Sequence, residues 1–208
     1  LSKQTKKIIR WYSNFEKEEK WLDQMSMQGW HLIHVNSFGV YIFAHGVPQN
    51  IVYRIDYRAF KNQNKFEEYA TLFVDSGWNF IAGGKSTGSQ YFCTMNPQEN
   101  SDIFSDKCSR AGRYKRLSQQ FCLLAFTFFM STFIFLSSST QKPFDFTYLT
   151  PGLWEKTGIH FWMSFLFETP FVLLRGGSAI VSIAFLLFCI IYAIKAKICY
   201  NQAMKDTF

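Results

Sequence analysis

No two of the five cysteines in this sequence stand at CxxC spacing, and Cys122 and Cys189 lie inside uncharged apolar runs. An odd, scattered set excludes a disulfide framework and a paired-thiol zinc site, and predicts reduced thiols, Cys93, Cys108 and Cys199 included. Histidine is as sparse. His31 and His34 are three apart, which on a strand sends them to opposite faces, while His45 and His160 are isolated. Neither a metal centre nor an acid-base pair follows from them. The first ten residues are basic and lack the apolar stretch of a secretion signal, so the domain that follows is expected to stay where it is made. Gly83-Gly84-Lys85-Ser86-Thr87 lacks the first glycine of a phosphate loop and joins strand to strand instead of opening a helix. These absences predict no catalytic residue, no metal ligand and no cofactor, and hence a protein that is not an enzyme.

What the sequence does have is a break in composition near residue 117. Its 208 residues allow one medium domain plus an appendage. Before the break charged and apolar residues are mixed; beyond it, Leu117 to Gln141 and Gly176 to Ile194 carry no charge at all. About 20 apolar residues cross a bilayer, so 117–139 and 176–194 are expected to be transmembrane helices. The net charge of +7 gathers partly beside these runs, which points to anionic lipid as the partner and away from nucleic acid. Arg110, Arg113, Lys115 and Arg116 precede the first run, and Lys195, Lys197 and Lys205 follow the second, so both termini are expected in the cytoplasm. Residues 101–116 read as a basic juxtamembrane helix whose Arg110, Arg113, Lys115 and Arg116 contact lipid headgroups, and 195–208 as a cytoplasmic tail. Residues 140–175 read as an external aromatic loop. Within it Thr157 to Leu174 is interrupted by Glu168 and Pro170 and is expected to be interfacial, re-entrant or packed on the spans, not a third span.

The soluble part, residues 1–100, repeats itself. Phe15-Glu16-Lys17-Glu18-Glu19-Lys20-Trp21-Leu22 leads to Gly29-Trp30, and Phe66-Glu67-Glu68-Tyr69-Ala70 leads to Gly77-Trp78. Trp21, Leu22 and Met25, and then Tyr69, Leu72 and Phe73, recur at the spacing of an amphipathic helix that a glycine terminates. Alternating apolar residues follow each Gly-Trp (Trp30, Leu32, Val35, then Val40, Tyr41, Phe43; Trp78, Phe80, then Tyr91, Cys93), and a further strand precedes each helix, near 7–12 and 51–57. Asn36-Ser37-Phe38-Gly39 and residues 83–88 serve as hairpin connections. The expected fold is α+β: two tandem β-α-β-β units making one largely antiparallel sheet, a ferredoxin-like two-layer α/β sandwich, with the two transmembrane helices after it. Trp21, Gly29, Trp30, Gly77 and Trp78 form its expected structural core, the two indoles plugging equivalent helix-to-sheet seams. Glu16, Glu18, Glu19 and Asp23, interleaved with Lys17 and Lys20, read as a solvated helix face. Arg54, Asp56 and Arg58 alternate on a strand and share one face, either a polar ladder or a docking surface for a partner.

The combination of Phe15-Glu16-Lys17-Glu18-Glu19-Lys20-Trp21-Leu22, Gly29-Trp30-His31-Leu32, Tyr53-Arg54-Ile55-Asp56-Tyr57 and Gly77-Trp78, with Ile103-Phe104-Ser105-Asp106 and Tyr114-Lys115-Arg116-Leu117, resembles the bacterial DUF2812 family over about residues 8–117. That family has no assigned function, so the resemblance implies a fold and no catalytic residues. It further implies a membrane-anchored protein of the Firmicutes type, often encoded beside PadR-like transcription regulators. The expectation that follows is a multi-pass regulatory or signalling protein of the bacterial cell membrane, whose cytoplasmic domain binds a protein partner, such as a transcription regulator, in envelope-stress sensing. The alternative is an accessory or immunity subunit of a transporter that handles membrane-active peptides.

Overall fold

A computed structural model describes residues 4–36, 39–96, 102–137 and 146–205. The turn expected at Ser37-Phe38, the stretch holding Lys142 and Asp145, and the ends of the expected first span and tail lie outside the described residues. The chain divides into two compact units, Leu1–Ser118 with Lys195–Phe208, and Gln119–Ile194.

The first unit is α+β and carries the duplication. Strand β1 (Thr5–Ile9), helix α1 (Phe15–Met27), β2 (Trp30–Val35) and β3 (Val40–His45) are followed by β4 (Val52–Tyr57), α2 (Gln63–Asp75), β5 (Asn79–Ala82) and β6 (Ser89–Thr94). Both helices have 13 residues, and each starts behind an asparagine, Asn14 or Asn62. Each is stopped by a glycine at positive φ, Gly29 at 80° and Gly77 at 83°. At Gly29 a side chain is excluded twice over, because a Cβ would also fall 2.6 Å from the Gly46 carbonyl oxygen. After Gly77 the amides of Gly77 and Trp78 return to the carbonyls of Val74 and Phe73, which satisfies the last turn of α2.

The single expected sheet is instead two antiparallel sheets of three strands, in the orders β1-β3-β2 and β4-β6-β5. In each, the last strand of the unit slots between the two that flank the helix. Strands β2 and β5 lie in contact without joining into one ladder. The register slips at the same place in both units, between Leu32 and His34 and between Phe80 and Ala82. This bulge overturns the expectation for the two histidines. His31 and His34 pair with Ala44 and Ile42, two residues apart, so the extra residue Ile33 brings both histidines to one face. His31 Nε2 is bonded to the Val47 carbonyl at 2.8 Å, and no cluster of three ligating side chains occurs among the described residues.

The two units differ in what their helices bury. Helix α2 buries only Tyr69, and it covers a cluster of Tyr69, Trp78 and Phe92 ringed by Phe73 and Phe80. Helix α1 buries Phe15, Glu18, Glu19, Leu22, Met25 and Ser26, and lies against β2 of its own sheet and β4 of the other. The two tryptophans of the repeat are correspondingly unequal. Trp78 is 2% exposed, whereas Trp30 is half-buried, edge-on to His45 with the Lys6 ammonium 5.3 Å from its ring. Trp21 is half-buried as well, edge-on to Tyr41 and Phe43.

Helices α3 (Lys107–Ser137) and α4 (Gly158–Lys205) complete the chain, and each is long and apolar enough to cross a membrane. At 48 residues α4 extends about 72 Å. It absorbs the stretch 158–175 that was expected as a separate segment, with no turn before Gly176. In the second unit α3 and α4 run side by side through Phe128 stacked on Phe185 and a 2.7 Å bond between the hydroxyls of Thr132 and Ser182. The residues that interrupt the apolar run of α4 are occupied: Glu168 accepts the amides of Leu149 and Thr150, and Arg175 donates to the Thr147 carbonyl. Two turns apart on the helix, they clamp the preceding loop along α4, where Tyr148 stacks on Phe165.

Replacing Trp78 by Ala is expected to cost the first unit about 3–5 kcal/mol, the usual cost of removing a fully buried aromatic. Trp30→Ala is expected to cost under about half of that, since its ring is already partly solvated. Denaturant unfolding followed by far-UV circular dichroism measures both, and equal losses would restore the equivalence that the repeat suggests.

Candidate functional site

Strand β4 lies at the edge of its sheet, and an edge strand exposes a row of backbone donors and acceptors that must be covered. Helix α1 covers the donors. Asp23 Oδ1 accepts the Tyr53 amide at 2.7 Å and Glu19 Oε1 accepts the Ile55 amide at 3.0 Å. The match is geometric: residues four apart on a helix rise about 6.0 Å, and edge amides two apart on a strand repeat at about 6.7 Å. Arginines cover the acceptors. Arg54 Nη1 donates to the Tyr53 carbonyl at 2.7 Å, Arg113 Nη1 to the Ile55 carbonyl at 2.7 Å, and Arg116 Nε to the Tyr57 carbonyl. Two of these three arginines come from the first turns of α3.

Arg113 is the centre of the arrangement. It is 1% exposed, it pairs with Glu19, and its guanidinium lies 5.2–5.3 Å from the rings of Phe15, Phe104 and Tyr114. A charge this deep is tolerable because a carboxylate, a carbonyl and three aromatic faces replace its water. Arg116 pairs with Asp56, which is 2% exposed and also accepts the Tyr69 hydroxyl at 2.8 Å. Arg110 pairs with Asp102, while Lys115 is exposed.

Glu18 lies beside this edge on α1. Its Oε1 accepts the Tyr41 hydroxyl at 2.6 Å and the Tyr91 hydroxyl at 2.7 Å, one from the central strand of each sheet, so a single carboxyl ties both sheets to α1. Burial pushes this carboxyl up from 4.5 to about 7, against the lowering effect of the two tyrosine hydroxyls. Burial likewise raises Glu19, opposed by Arg113, and raises Asp23, opposed by the Tyr53 amide. The same desolvation, reinforced by Glu18, holds Tyr41 and Tyr91 well above the usual phenol range.

Residues 14–127, more than half of the chain, match the model of the protein family of unknown function DUF2812. The chain belongs to the DUF2812 family. The match opens at Asn14, the cap of α1, and closes within α3, so both sides of the β4 edge fall inside it. No curated protein and no solved structure matches this DUF2812 chain.

Several of the residues singled out from sequence thus have other surroundings. Glu18 and Glu19, expected on a solvated face, are 4% and 6% exposed and face inward, since the core stripe of α1 runs through them. Arg113, expected at lipid headgroups, is enclosed by protein, and Arg116 is turned to Tyr57 and Asp56. Asp56 is buried, so Arg54, Asp56 and Arg58 form no continuous exposed ladder; Arg58 alone of the three is largely open, at 47% side-chain exposure. Gly83 to Gly88 is not a phosphate cradle. Gln90, fully buried, accepts the Gly84 amide and donates to the carbonyls of Gly84 and Arg58.

Chemically, the DUF2812 site is a closed network. A solute reaches Glu18 only if the sheets part, and the carboxylates beside it are engaged with backbone amides and arginine. Its pH response is specific. A carboxyl held at about 7 in the fold and 4.5 in the open chain keeps its proton longer when folded, so the contribution of Glu18 to stability is fully present below pH 4.5 and is lost as pH rises to about 7. Glu18→Gln, which still accepts both tyrosine hydroxyls, is expected to remove up to about 3 kcal/mol of that fall and to be the more stable protein above pH 7. Unfolding free energies of both proteins from pH 4 to 8 measure the difference; parallel curves would mean that Glu18 ionises as freely in the fold as outside it.

Proposed function

We propose that this DUF2812 protein is a membrane-anchored regulatory or signalling protein of the bacterial cell envelope, whose soluble domain binds a protein partner and responds to the state of α3. One observation carries the reading. The helix whose later turns are long and apolar enough to cross a membrane is the same unbroken helix whose Arg113 and Arg116 close the β4 edge. A shift or rotation of α3 would withdraw Arg113 from Glu19 and the Ile55 carbonyl, leaving a buried charge and an open strand edge, and both are costly. Such a helix cannot move without changing the domain. A transcription regulator is one such partner, in envelope-stress sensing.

In this reading both termini are cytoplasmic, with the basic flanks setting orientation during insertion. In a cysteine-free background, single cysteines at 61 and 205 are expected to react with a membrane-impermeant reagent only after the cells are opened, and one at 145 in intact cells. Labelling of position 205 in intact cells would invert the end of the chain and separate it from the soluble domain.

The accessory or immunity reading draws on the clamped loop of the second unit, where Trp154 is exposed, and on the exposed Trp162 in the first turns of α4. Photo-crosslinking in the native membrane divides the two readings. A crosslinker at Leu72, exposed on α2, is expected to capture a discrete partner with a yield that changes at least about twofold in Arg113→Lys, a variant that keeps the charge and loses the fork. Adducts obtained only from Trp162 or Leu187, and indifferent to Arg113, would favour the transporter subunit.

A further inference from the structure

Beside Arg116 the first unit holds a cleft of about 350 Å³ between α2, the end of β4 and the start of α3. That volume is within the range of small-molecule sites. Its charged lining is Asp56, Arg58 and Arg116, and its apolar wall includes Phe73, Ile103 and Phe104.

The charges are not equally available. Asp56 is buried and its acceptors are engaged: Oδ1 takes Arg116 and the Tyr57 amide, and Oδ2 takes the Tyr69 hydroxyl. Arg116 directs its Nε to the Tyr57 carbonyl and its Nη2 to Asp56. Asp56 and Arg116 therefore cancel, and Arg58 is the surplus charge. Its Nε stands 3.9 Å from Asp56 Oδ2, beyond hydrogen-bonding distance, while its guanidinium lies 5.3 Å from the Tyr69 ring. Arg58 thus lines the cleft beside an aromatic face, at ion-pair distance from Asp56 and with 47% of its side chain exposed. The serines do not compete for a ligand, because Ser105 and Ser109 both donate to Asp106 and Ser76 donates to the Leu72 carbonyl.

We infer that this cleft binds a small amphipathic anion, a single carboxylate or phosphate group on an apolar or aromatic body, with the anionic group on Arg58 and the body against Phe73, Ile103 and Phe104. The surplus guanidinium supplies a planar fork of donors that matches either group. The apolar wall supplies the affinity that one exposed ion pair lacks. The inference stands on the cleft alone and does not need the regulatory reading, although a ligand there would touch α3 at Arg116.

The test uses the full chain in lipid nanodiscs, with empty discs as reference, and ligand-observed NMR of 4-ethylbenzoate, phenyl phosphate, neutral 4-ethylbenzamide and inorganic phosphate. At least one aromatic anion is expected to bind with a dissociation constant on the order of 0.1–1 mM, and the amide about tenfold more weakly or worse. Binding of one anion and not the other assigns the group as carboxylate or phosphate. Arg58→Gln, at a largely exposed position, is expected to weaken the anion about tenfold while leaving the amide and the thermal midpoint unchanged. The inference is overturned if neither anion binds, if the amide binds as well as the anions, if inorganic phosphate competes as strongly as phenyl phosphate, or if Arg58→Gln leaves anion binding intact.

Discussion

The free edge of β4 is the constraint on which the first unit depends. A strand packed against a helix and a further segment cannot turn its backbone groups to water, and no seventh strand among the described residues joins it. Its amides at Tyr53 and Ile55 are met by Asp23 and Glu19 from α1, and its carbonyls by Arg54, Arg113 and Arg116. Charge-assisted bonds of this kind contribute about 1.5–3 kcal/mol each, and removing one partner of a buried pair costs about 3–5 kcal/mol. Such losses compare with the whole stability of a small domain. The edge, α1 and the start of α3 therefore form together or not at all.

The duplication makes this possible by being imperfect. Topology, helix length, glycine caps and bulges repeat, yet Glu18 and Glu19 of α1 correspond to Phe66 and Glu67 of α2. Phe66 packs edge-on to Phe60 and Phe80, and Glu67 accepts a bond from Gln63 on the surface. One copy thus keeps an apolar helix face for its own sheet, and the other has become a polar wedge that serves both. Glu18, bonded to Tyr41 of one sheet and Tyr91 of the other, is the clearest mark of that change.

Much of the first-order organisation was legible without coordinates. Gly29 and Gly77 end helices because only glycine adopts the required φ cheaply, and uncharged runs of about twenty residues stand out in any window. The division into two sheets was not legible, since the choice between joining and separating edges is made by contacts distant in sequence. The bulge left a trace: Trp30, Leu32 and Val35 step by two and then three, which breaks a strict alternation at Ile33. The buried carboxylates left one as well, because Phe15, Glu18, Glu19, Leu22 and Met25 fall on a single stripe. Alternating Glu and Lys masks it, since a surface ion-pair ladder has the same local pattern.

The arginines of α3 show why charge next to an apolar run is ambiguous. A basic cluster before a span satisfies the orientation rule whatever its side chains touch afterwards, so Arg110, Arg113, Lys115 and Arg116 look alike in sequence. In the fold they diverge: Lys115 stays in solvent, Arg110 pairs with Asp102, and Arg113 and Arg116 finish a strand edge. Lysine could not replace the last two on equal terms. Arg113 meets both Glu19 and the Ile55 carbonyl through Nη1, which a point charge could imitate, but a compact, strongly hydrated ammonium is no substitute for a flat, weakly hydrated guanidinium lying among three aromatic rings. The identity of the residue at 113, more than its sign, therefore makes the start of α3 a component of the domain instead of a tether to it.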